Sequence, residues 1–364
     1  MRKVIAVLCC IAALGTSHAQ GVIPFSDPRW QITGKTITQE TYEGKPALKI
    51  EQGRALLAGA DFTNGVIEFD VALAEGRYFP GMNFRVQSPG NQETIYVRPH
   101  QSGHPDAIQY YPEYNGDGAW QLYYGEGFGA PHLIPVNRWM HVRLLVSGVR
   151  AELYLDGESK PALSIDSLRR PVKAGGLALY NDGPPIHYAN FSYTSTNQAP
   201  LQEAARTPPI LDPGVVREWS VSSRFAEARL KDKVVLGDRD TADLSWQSLK
   251  TDNRGVADLS MLAGATSSDS NTVFARTMIY AAQAGVRRVD FGFADRVKVY
   301  LNGQLLYAGH DEFLSRDYRF LGTMGYWDAL YLPLRQGINE LWFSVSETDG
   351  GGWGIEASVG GEQR

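Results

Sequence analysis

The sequence of 364 residues contains only two cysteines, Cys9 and Cys10, and both lie near its start. A fold that begins after them has no disulfide and no thiolate metal site, so its hydrophobic cores must hold it together. No later apolar run approaches the roughly 18 residues that a membrane-spanning helix needs, so we expect no membrane insertion. No basic patch stands out against a formal net charge of −5, and we therefore expect no nucleic-acid partner.

The first residues of the chain have the pattern of an export signal. Arg2 and Lys3 are followed by an apolar run over residues 4–14 and by Ser17-His18-Ala19, with small residues at positions 17 and 19. This order of a basic, an apolar and a small-residue region is typical of a cleaved signal peptide. We therefore predict that residues 1–19 are a signal peptide and that the protein is secreted or periplasmic.

Strand-like alternation is the main pattern in the rest of the chain. Apolar and polar residues alternate over residues 66–73, as expected for a half-buried strand. The same period predicts strands at 81–87, 94–98, 107–114, 120–124 and 139–146. With 38 glycines, 18 tyrosines and few helical windows, the composition favours an all-β chain. Short strands separated by glycine, asparagine and proline are typical of antiparallel sandwiches.

One hairpin pattern occurs twice. Residues 152–158 (ELYLDGE) align with residues 298–304 (KVYLNGQ), and each copy follows another predicted strand. Asp156-Gly157 and Asn302-Gly303 supply residues that tolerate positive φ, as a tight type I′ turn requires. The repetition indicates two β-sandwich units, each with its own core.

The predicted fold class is all-β, with two antiparallel β-sandwich (jelly-roll) domains joined by a proline-rich linker. Residues 195–215 are rich in proline and lack periodicity, so we predict that they form this linker. The first domain would then span residues 20–194 and the second residues 216–364.

The first of these domains resembles a known family. Its segments VIEFDVAL at 66–73, FRVQ at 84–87 and NRWMHVRLLVSGVRAELYLDG at 137–157 are similar to those of concanavalin A-like lectin/glucanase sandwiches. The aromatic run at 94–124 and YANFSY at 188–193 extend the resemblance, which is greatest to bacterial keto-disaccharide hydrolase-like domains. The resemblance implies a sandwich that handles carbohydrate.

The second domain resembles the galactose-binding-like jelly rolls that are appended to secreted carbohydrate enzymes. The matching segments are residues 295–309, 332–347 and 350–359. The resemblance implies an accessory domain whose loops at one end hold a ligand, where there is one.

The densest group of polar and aromatic residues lies at residues 94–129. Sugars combine apolar C–H faces with hydroxyl groups, so their sites combine flat aromatic rings with amides, carboxylates and arginines. Polar faces on neighbouring strands of a curved sheet would form a groove for them; the alternative is that these faces are only solvated. The predicted substrate-binding residues are Arg85, Tyr96, Arg98, His100, Gln109, Tyr111, Glu113 and Tyr123.

Three of these residues have predicted roles. Arg98 would donate paired hydrogen bonds to the ligand, Tyr111 would stack on a sugar face, and Glu113 would accept from hydroxyl groups. If the site is catalytic, Glu113 or His104 would be its acid/base.

The sequence predicts no metal site and no required cofactor. His100, His104 and Asp106 are ligand types that zinc uses, but prolines and a glycine place them in a loop and no fourth ligand is evident. Oxygen-rich clusters at residues 115–118 and 311–317, the latter with Asp311, Glu312 and Asp317, would suit calcium.

The function that these patterns favour is that of an exported carbohydrate-binding protein. One alternative is a hydrolase or lyase that acts on a glycoside or keto-disaccharide. Glu68 and Asp70 share a strand face like the paired acids of sandwich glucanases, although Ala72 and Ala74 stand where a third acid belongs. A further alternative is a structural or adhesive cell-surface protein. The sequence indicates no oligomeric state.

Overall fold

The computed structural model describes residues 18–19, 21–262, 264, 269–317, 319–348 and 350–360. The predicted all-β class is confirmed, because the described part of the chain consists of antiparallel strands, turns and short 3₁₀ segments, without an α-helix. No helix in these residues is long and apolar enough to cross a membrane. Most of the predicted signal peptide lies outside the described residues, and residues 18–19 pair with residues 194–195.

The first sheet contains the strands before residue 196. They are β1 (His18–Ala19), β2 (Trp30–Tyr42), β3 (Lys45–Phe62), β4 (Gly65–Ala72), β5 (Gly81–Ser88), β6 (Asn91–Val97), β7 (Ile108–Tyr114), β8 (Asp117–Gly118), β9 (Gly129–Ala130), β10 (Trp139–Ser147), β11 (Arg150–Leu155), β12 (Leu163–Ile165), β13 (Gly175–Asn181) and β14 (Ile186–Ser195). The main strand order is β12-β11-β10-β4-β14-β3-β13-β5-β6-β7-β8.

The first sheet folds into two layers, and the long strand β3 belongs to both of them. Residues 47–50 pair with β14, whereas residues 53–62 pair with β13. Between these two stretches Gln52 has a φ of 51°, a left-handed conformation that bends the strand. The two layers therefore face each other, and their apolar faces form one core that includes Phe69 and Leu144 from one layer and Phe84 and Leu179 from the other.

Two smaller sheets follow residue 217. Their strands are β15 (Glu218–Ser222), β16 (Trp246–Lys250), β17 (Ala257–Asp258), β18 (Thr272–Ala281), β19 (Gly285–Ala294), β20 (Arg296–Leu301), β21 (Gln304–His310), β22 (Asp328–Leu334), β23 (Gly337–Ser346) and β24 (Gly354–Val359). The strand orders are β16-β15-β18-β23-β20-β21 and β17-β24-β19-β22. A second buried cluster, with Trp219, Phe291 and Phe343, lies among these strands.

Both predicted tight turns have the expected backbone. Asn302 and Gly303 have φ values of 50° and 82°, and Asp156 and Gly157 have values of 48° and 72°. Consecutive positive φ values are those of a type I′ turn. Asn302-Gly303 joins β20 to β21 directly, whereas a longer loop after Asp156-Gly157 leads to β12.

The predicted strand at residues 120–124 is wrong. These residues form turns, because their main-chain groups bond elsewhere than to a neighbouring strand. Gln121 N donates to Gly351 O at 2.9 Å, and Tyr123 N donates to Ala119 O at 3.2 Å. Contact with a distant part of the chain has replaced the local pairing that alternation predicts.

The two groups of sheets pack closely against each other around Gln121 and Leu122. Gln121 Nε2 donates to Leu321 O at 3.1 Å, and Met324 N donates to Gln121 O at 2.9 Å. The Leu122 side chain packs directly on Gly354. A Cβ at position 354 would lie only 2.6 Å from Leu122 Cδ2. Only glycine permits so close an approach. The division into two independently folding domains stays a prediction.

One buried carboxyl group lies at this interface and a second lies on the neighbouring strand. Asp258, on β17, is almost fully buried, and burial raises its pKa to about 7, with further increases from the charges of Asp117 and Asp252. Its Oδ1 accepts from the Ser260 main-chain N at 3.1 Å. Burial also raises the pKa of Glu356, on β24, to about 7. Protonation therefore reduces the charge repulsion and the desolvation cost at this interface.

These raised pKa values predict that stability decreases as pH rises. Between the ordinary carboxyl pKa and about pH 7 the folded state binds protons that the unfolded state has released, so the free energy of unfolding falls over that range. We expect the melting temperature of the Asp258→Asn variant to change less than that of the parent between about pH 5 and about pH 8, because asparagine cannot ionise.

Asp232→Asn, at an exposed position, is the control and should retain the parent's pH dependence. Calorimetric melting temperatures across this pH range measure the effect. If the melting temperature falls equally with pH in the parent and in Asp258→Asn, the raised pKa of Asp258 does not contribute to stability as described.

Candidate functional site

A cleft of about 950 Å³ lies where β6, β7 and neighbouring loops meet a loop of the second group of sheets. Its volume is at the upper end of the range of small-ligand sites. The lining residues of the first sheet are Arg77, Phe79, Tyr96, Arg98, His100, Gln101, His104, Pro105, Asp106, Tyr111, Glu113, Gly116, Gly118, Trp120, Tyr180 and Asp182. Those of the second group are Phe313, Leu314, Arg319, Leu321 and Gly350.

Arg98 organises the floor of this cleft. Strand alternation places Tyr96 and Arg98 on one face at the end of β6, as the sequence predicts. Arg98 Nη1 donates to Asp106 Oδ2 and to Asp106 O, each at 2.9 Å, and Nη2 donates to Tyr96 Oη at 2.5 Å. The guanidinium group also lies 5.2 Å from the centre of the Trp120 ring.

These contacts give Arg98 a structural role that the sequence does not predict. Only 4% of the residue is exposed, and both terminal nitrogens already donate to Asp106 and Tyr96. Arg98 therefore positions Asp106, Tyr96 and Trp120, while its role as a direct donor to the ligand stays a prediction. A cation beside the Trp120 ring also restrains the orientation of that ring.

Glu113 reaches the cleft from β7 and is held by an amide. Gln92, its partner across β6 and β7, donates from Nε2 to Glu113 Oε2 at 2.6 Å. Arg54 Nη2 in turn donates to Gln92 Oε1 at 2.7 Å. This relay fixes one carboxylate oxygen and the orientation of the group, so that the carboxylate can accept hydrogen bonds in the cleft.

Tyr111 lies on the same face of β7 as Glu113. Its ring meets the Tyr96 ring edge-on, with the centroids 5.6 Å apart. Another neighbour is Gly118, where a Cβ would lie 2.6 Å from Tyr111 Cε2. The absence of a side chain at Gly118 therefore makes room for the Tyr111 ring.

His100 follows β6 in a short 3₁₀ segment, Pro99–Gln101. Its ring meets Phe79 edge-on at 5.5 Å, and its Nδ1 is enclosed without a hydrogen-bond partner among the described residues. Partial burial and the positive charges of Arg77 and Arg98 lower the pKa of His100. The imidazole is therefore neutral at neutral pH. His104 lies exposed at the rim.

The structure places three predicted site residues away from the cleft. Arg85 is 1% exposed, and its Nε and Nη2 donate to Thr63 O at 2.9 Å and Gly148 O at 2.6 Å. Its φ of 50° lies in an irregular stretch of the β5–β6 pairing, so simple alternation fails there. Gln109 is fully buried and donates to Tyr110 O and Tyr123 O.

Tyr123 is the third of these residues. It belongs to the turns at residues 120–124, and its ring packs in the core 5.4 Å from that of Phe128. The alternation that places Tyr123 on a groove-facing strand does not apply, because the strand is absent.

Several cleft residues are not among the sequence-predicted substrate-binding set. Asp106 and Trp120 belong to the aromatic and polar run that the sequence singles out, whereas Arg77, Phe79, Tyr180 and Asp182 lie outside it. Nothing in the local sequence marks the residues of the second group, because they reach the cleft only through tertiary packing.

The other acidic clusters have protein partners. Asp70 accepts from Lys45 at 2.7 Å and from His141 Nδ1 at 2.8 Å, so it does not form an open acid pair with Glu68. Asp311, Glu312 and Asp317, the candidate calcium ligands, pair with arginines at 2.5, 2.6 and 2.9 Å. Among the described residues, no set of three or more His, Cys, Asp or Glu side chains is placed to hold a metal ion.

No protein-family model matches the chain, and no curated protein matches it. Among solved structures, the carbohydrate-binding module CBM66 from Bacillus subtilis is similar over 46% of this chain and 96% of its own, at 18% identity and a TM-score of 0.37. A putative glycosyl hydrolase from Parabacteroides distasonis covers 46% of this chain and 88% of its own, at 12% identity and a TM-score of 0.32. A β-glucanase from Bacillus licheniformis is similar over 50% of this chain and 99% of its own, at 12% identity and a TM-score of 0.35.

The interactions of Arg98 predict a structural effect of its removal. Arg98→Ala should leave the Asp106 carboxylate buried without its cation, at a cost of about 3–5 kcal/mol in the free energy of unfolding. Arg138→Ala is the control, because Arg138 forms a largely exposed pair with Asp156 at 2.7 Å. An exposed pair of this kind contributes about 0–1 kcal/mol.

Urea denaturation measures the free energy of unfolding of both variants. Tryptophan fluorescence should also change in Arg98→Ala, because the Trp120 ring loses the cation beside it. Equal stability of Arg98→Ala and Arg138→Ala would contradict the positioning role of Arg98.

Proposed function

We propose that this protein is an exported carbohydrate-binding protein and that the cleft holds the glycan. The observation that carries the proposal is the combination of aromatic rings and hydrogen-bonding groups on one concave surface. Phe79, Tyr111 and Trp120 offer apolar faces, while Glu113 and Asp182 offer carboxylate acceptors. A sugar presents the complementary pair of features, an apolar C–H face and a rim of hydroxyl groups.

The contacts within the cleft indicate which residue would stack on the sugar and which would accept its hydrogen bonds. Trp120, restrained by Arg98, is the stacking surface. Glu113, fixed by Gln92, accepts from hydroxyl groups, and Asp182, whose Oδ1 accepts from Phe79 N at 2.8 Å, is fixed in a similar way. Groups that are held before the ligand arrives lose little entropy on binding, which favours affinity.

A hydrolase or lyase is the second candidate function. The observation that favours it is a neutral imidazole, His100, in the same cleft as the oriented carboxylate of Glu113. A neutral imidazole and a carboxylate both accept protons, so each of these two groups is of the kind that serves as a general base in such an enzyme.

Titration calorimetry with cellohexaose, xylohexaose, mannohexaose and laminarihexaose, after a glycan-array screen, tests the binding function. We expect the parent to bind at least one of these glycans and Trp120→Ala to bind it about tenfold more weakly, which corresponds to about 1.4 kcal/mol. Trp327→Ala is the matched control, because Trp327 is exposed and is not among the lining residues of the cleft.

Product analysis on the bound glycan separates a binder from an enzyme. Turnover by the parent that disappears in Glu113→Gln, with binding retained, would establish the second candidate. A parent protein that binds none of the arrayed glycans, or a Trp120→Ala variant with unchanged affinity, would refute the cleft as a glycan site.

A further inference from the structure

Two large apolar side chains of the second group of sheets are held at the cleft without being buried. Phe313 is 38% exposed and Leu314 is 47% exposed, and both line the cleft. We call this pair of residues the apolar lip. Both side chains therefore present apolar surface to the cleft, and the Arg77 guanidinium of the first group lies 6.0 Å from the centre of the Phe313 ring.

The backbone of the lip is itself unfavourable. Leu314 has a φ of 63°, a left-handed conformation that bulky residues seldom adopt. Glycine or asparagine takes this conformation at a lower cost. Backbone strain of this kind persists only where the surrounding structure imposes it, and it is concentrated at functional sites.

The surrounding structure does brace the lip. Leu314 N donates to Phe320 O at 2.8 Å, and Ser315 N donates to Glu312 O at 3.0 Å. Next to them, Arg316 Nε pairs with Asp311 Oδ1 at 2.5 Å. Further along the same loop, Leu321 O accepts from Gln121 Nε2, which ties this part of the loop to the first sheet.

We propose that Phe313 and Leu314 contact an apolar C–H face of the bound sugar and help to determine which glycan the cleft accepts. This inference rests on the proposed glycan-binding function and assigns part of the specificity to the second group of sheets. Trp120 and Phe79 supply apolar surface from the first sheet, and the lip supplies it from the second. A sugar ring has two faces, so apolar surfaces from two walls suit it better than one.

The test compares Leu314→Asn, Leu314→Gly and Leu306→Asn with the parent. Asparagine and glycine accept the left-handed backbone but remove the apolar side chain. Leu306, on β21 and 37% exposed, is the matched control, because it has no positive φ and does not line the cleft. Affinity is measured by calorimetry with cellohexaose, xylohexaose, mannohexaose and laminarihexaose, and stability is measured as the melting temperature.

We expect Leu314→Asn to bind the preferred one of these glycans about fivefold more weakly, while Leu306→Asn binds it like the parent. We also expect Leu314→Gly to melt at the same temperature as the parent or higher, because the backbone strain is relieved and the side chain that is removed is only half-buried.

Two results would overturn the inference while the glycan site stands. They are an unchanged affinity of Leu314→Asn, and a lower melting temperature of Leu314→Gly, which would make the side chain structural. If the parent binds none of the glycans, the proposed function fails, and this assignment of the lip fails with it.

Discussion

The cleft depends on the way in which the segment around Gln121 joins the two groups of sheets. Its main-chain N donates to Gly351 O, its main-chain O accepts from Met324 N, and its side chain donates to Leu321 O. Glycine at positions 352 and 354 lets Leu122 approach closely beside it. One wall of the cleft comes from each group, so the site exists only while this contact holds.

In the wall that the first sheet supplies, the charged groups of Arg98 and Glu113 form hydrogen bonds with other protein side chains. Arg98 is occupied by Asp106 and Tyr96, and Glu113 is held through Gln92. These internal bonds leave the cleft with oriented carboxylates and restrained rings. The polyhydroxylated ligand that we propose would offer hydroxyl donors to these carboxylates and apolar faces to the rings.

Sequence patterns predict the parts of this site that depend on regular strands. Alternation on β6 and β7 correctly places Tyr96 beside Arg98 and Tyr111 beside Glu113, because those strands are regular there. The prediction fails for Arg85, because the β5–β6 pairing is irregular there, and for Tyr123, because the contact of the neighbouring Gln121 with Gly351 replaces a strand by turns. Leu314 reaches the cleft only through packing between distant segments, which no local period encodes.

The proposed function, together with the role of the lip, requires that one glycan contacts both walls of the cleft. A crystal structure of the protein with cellohexaose, xylohexaose, mannohexaose or laminarihexaose, whichever binds most tightly, tests it most directly. We expect a sugar ring against Trp120, the lip residues Phe313 and Leu314 in contact with the same glycan, and hydrogen bonds from its hydroxyl groups to Glu113. A glycan bound elsewhere, or one that touches only the first sheet, would contradict it.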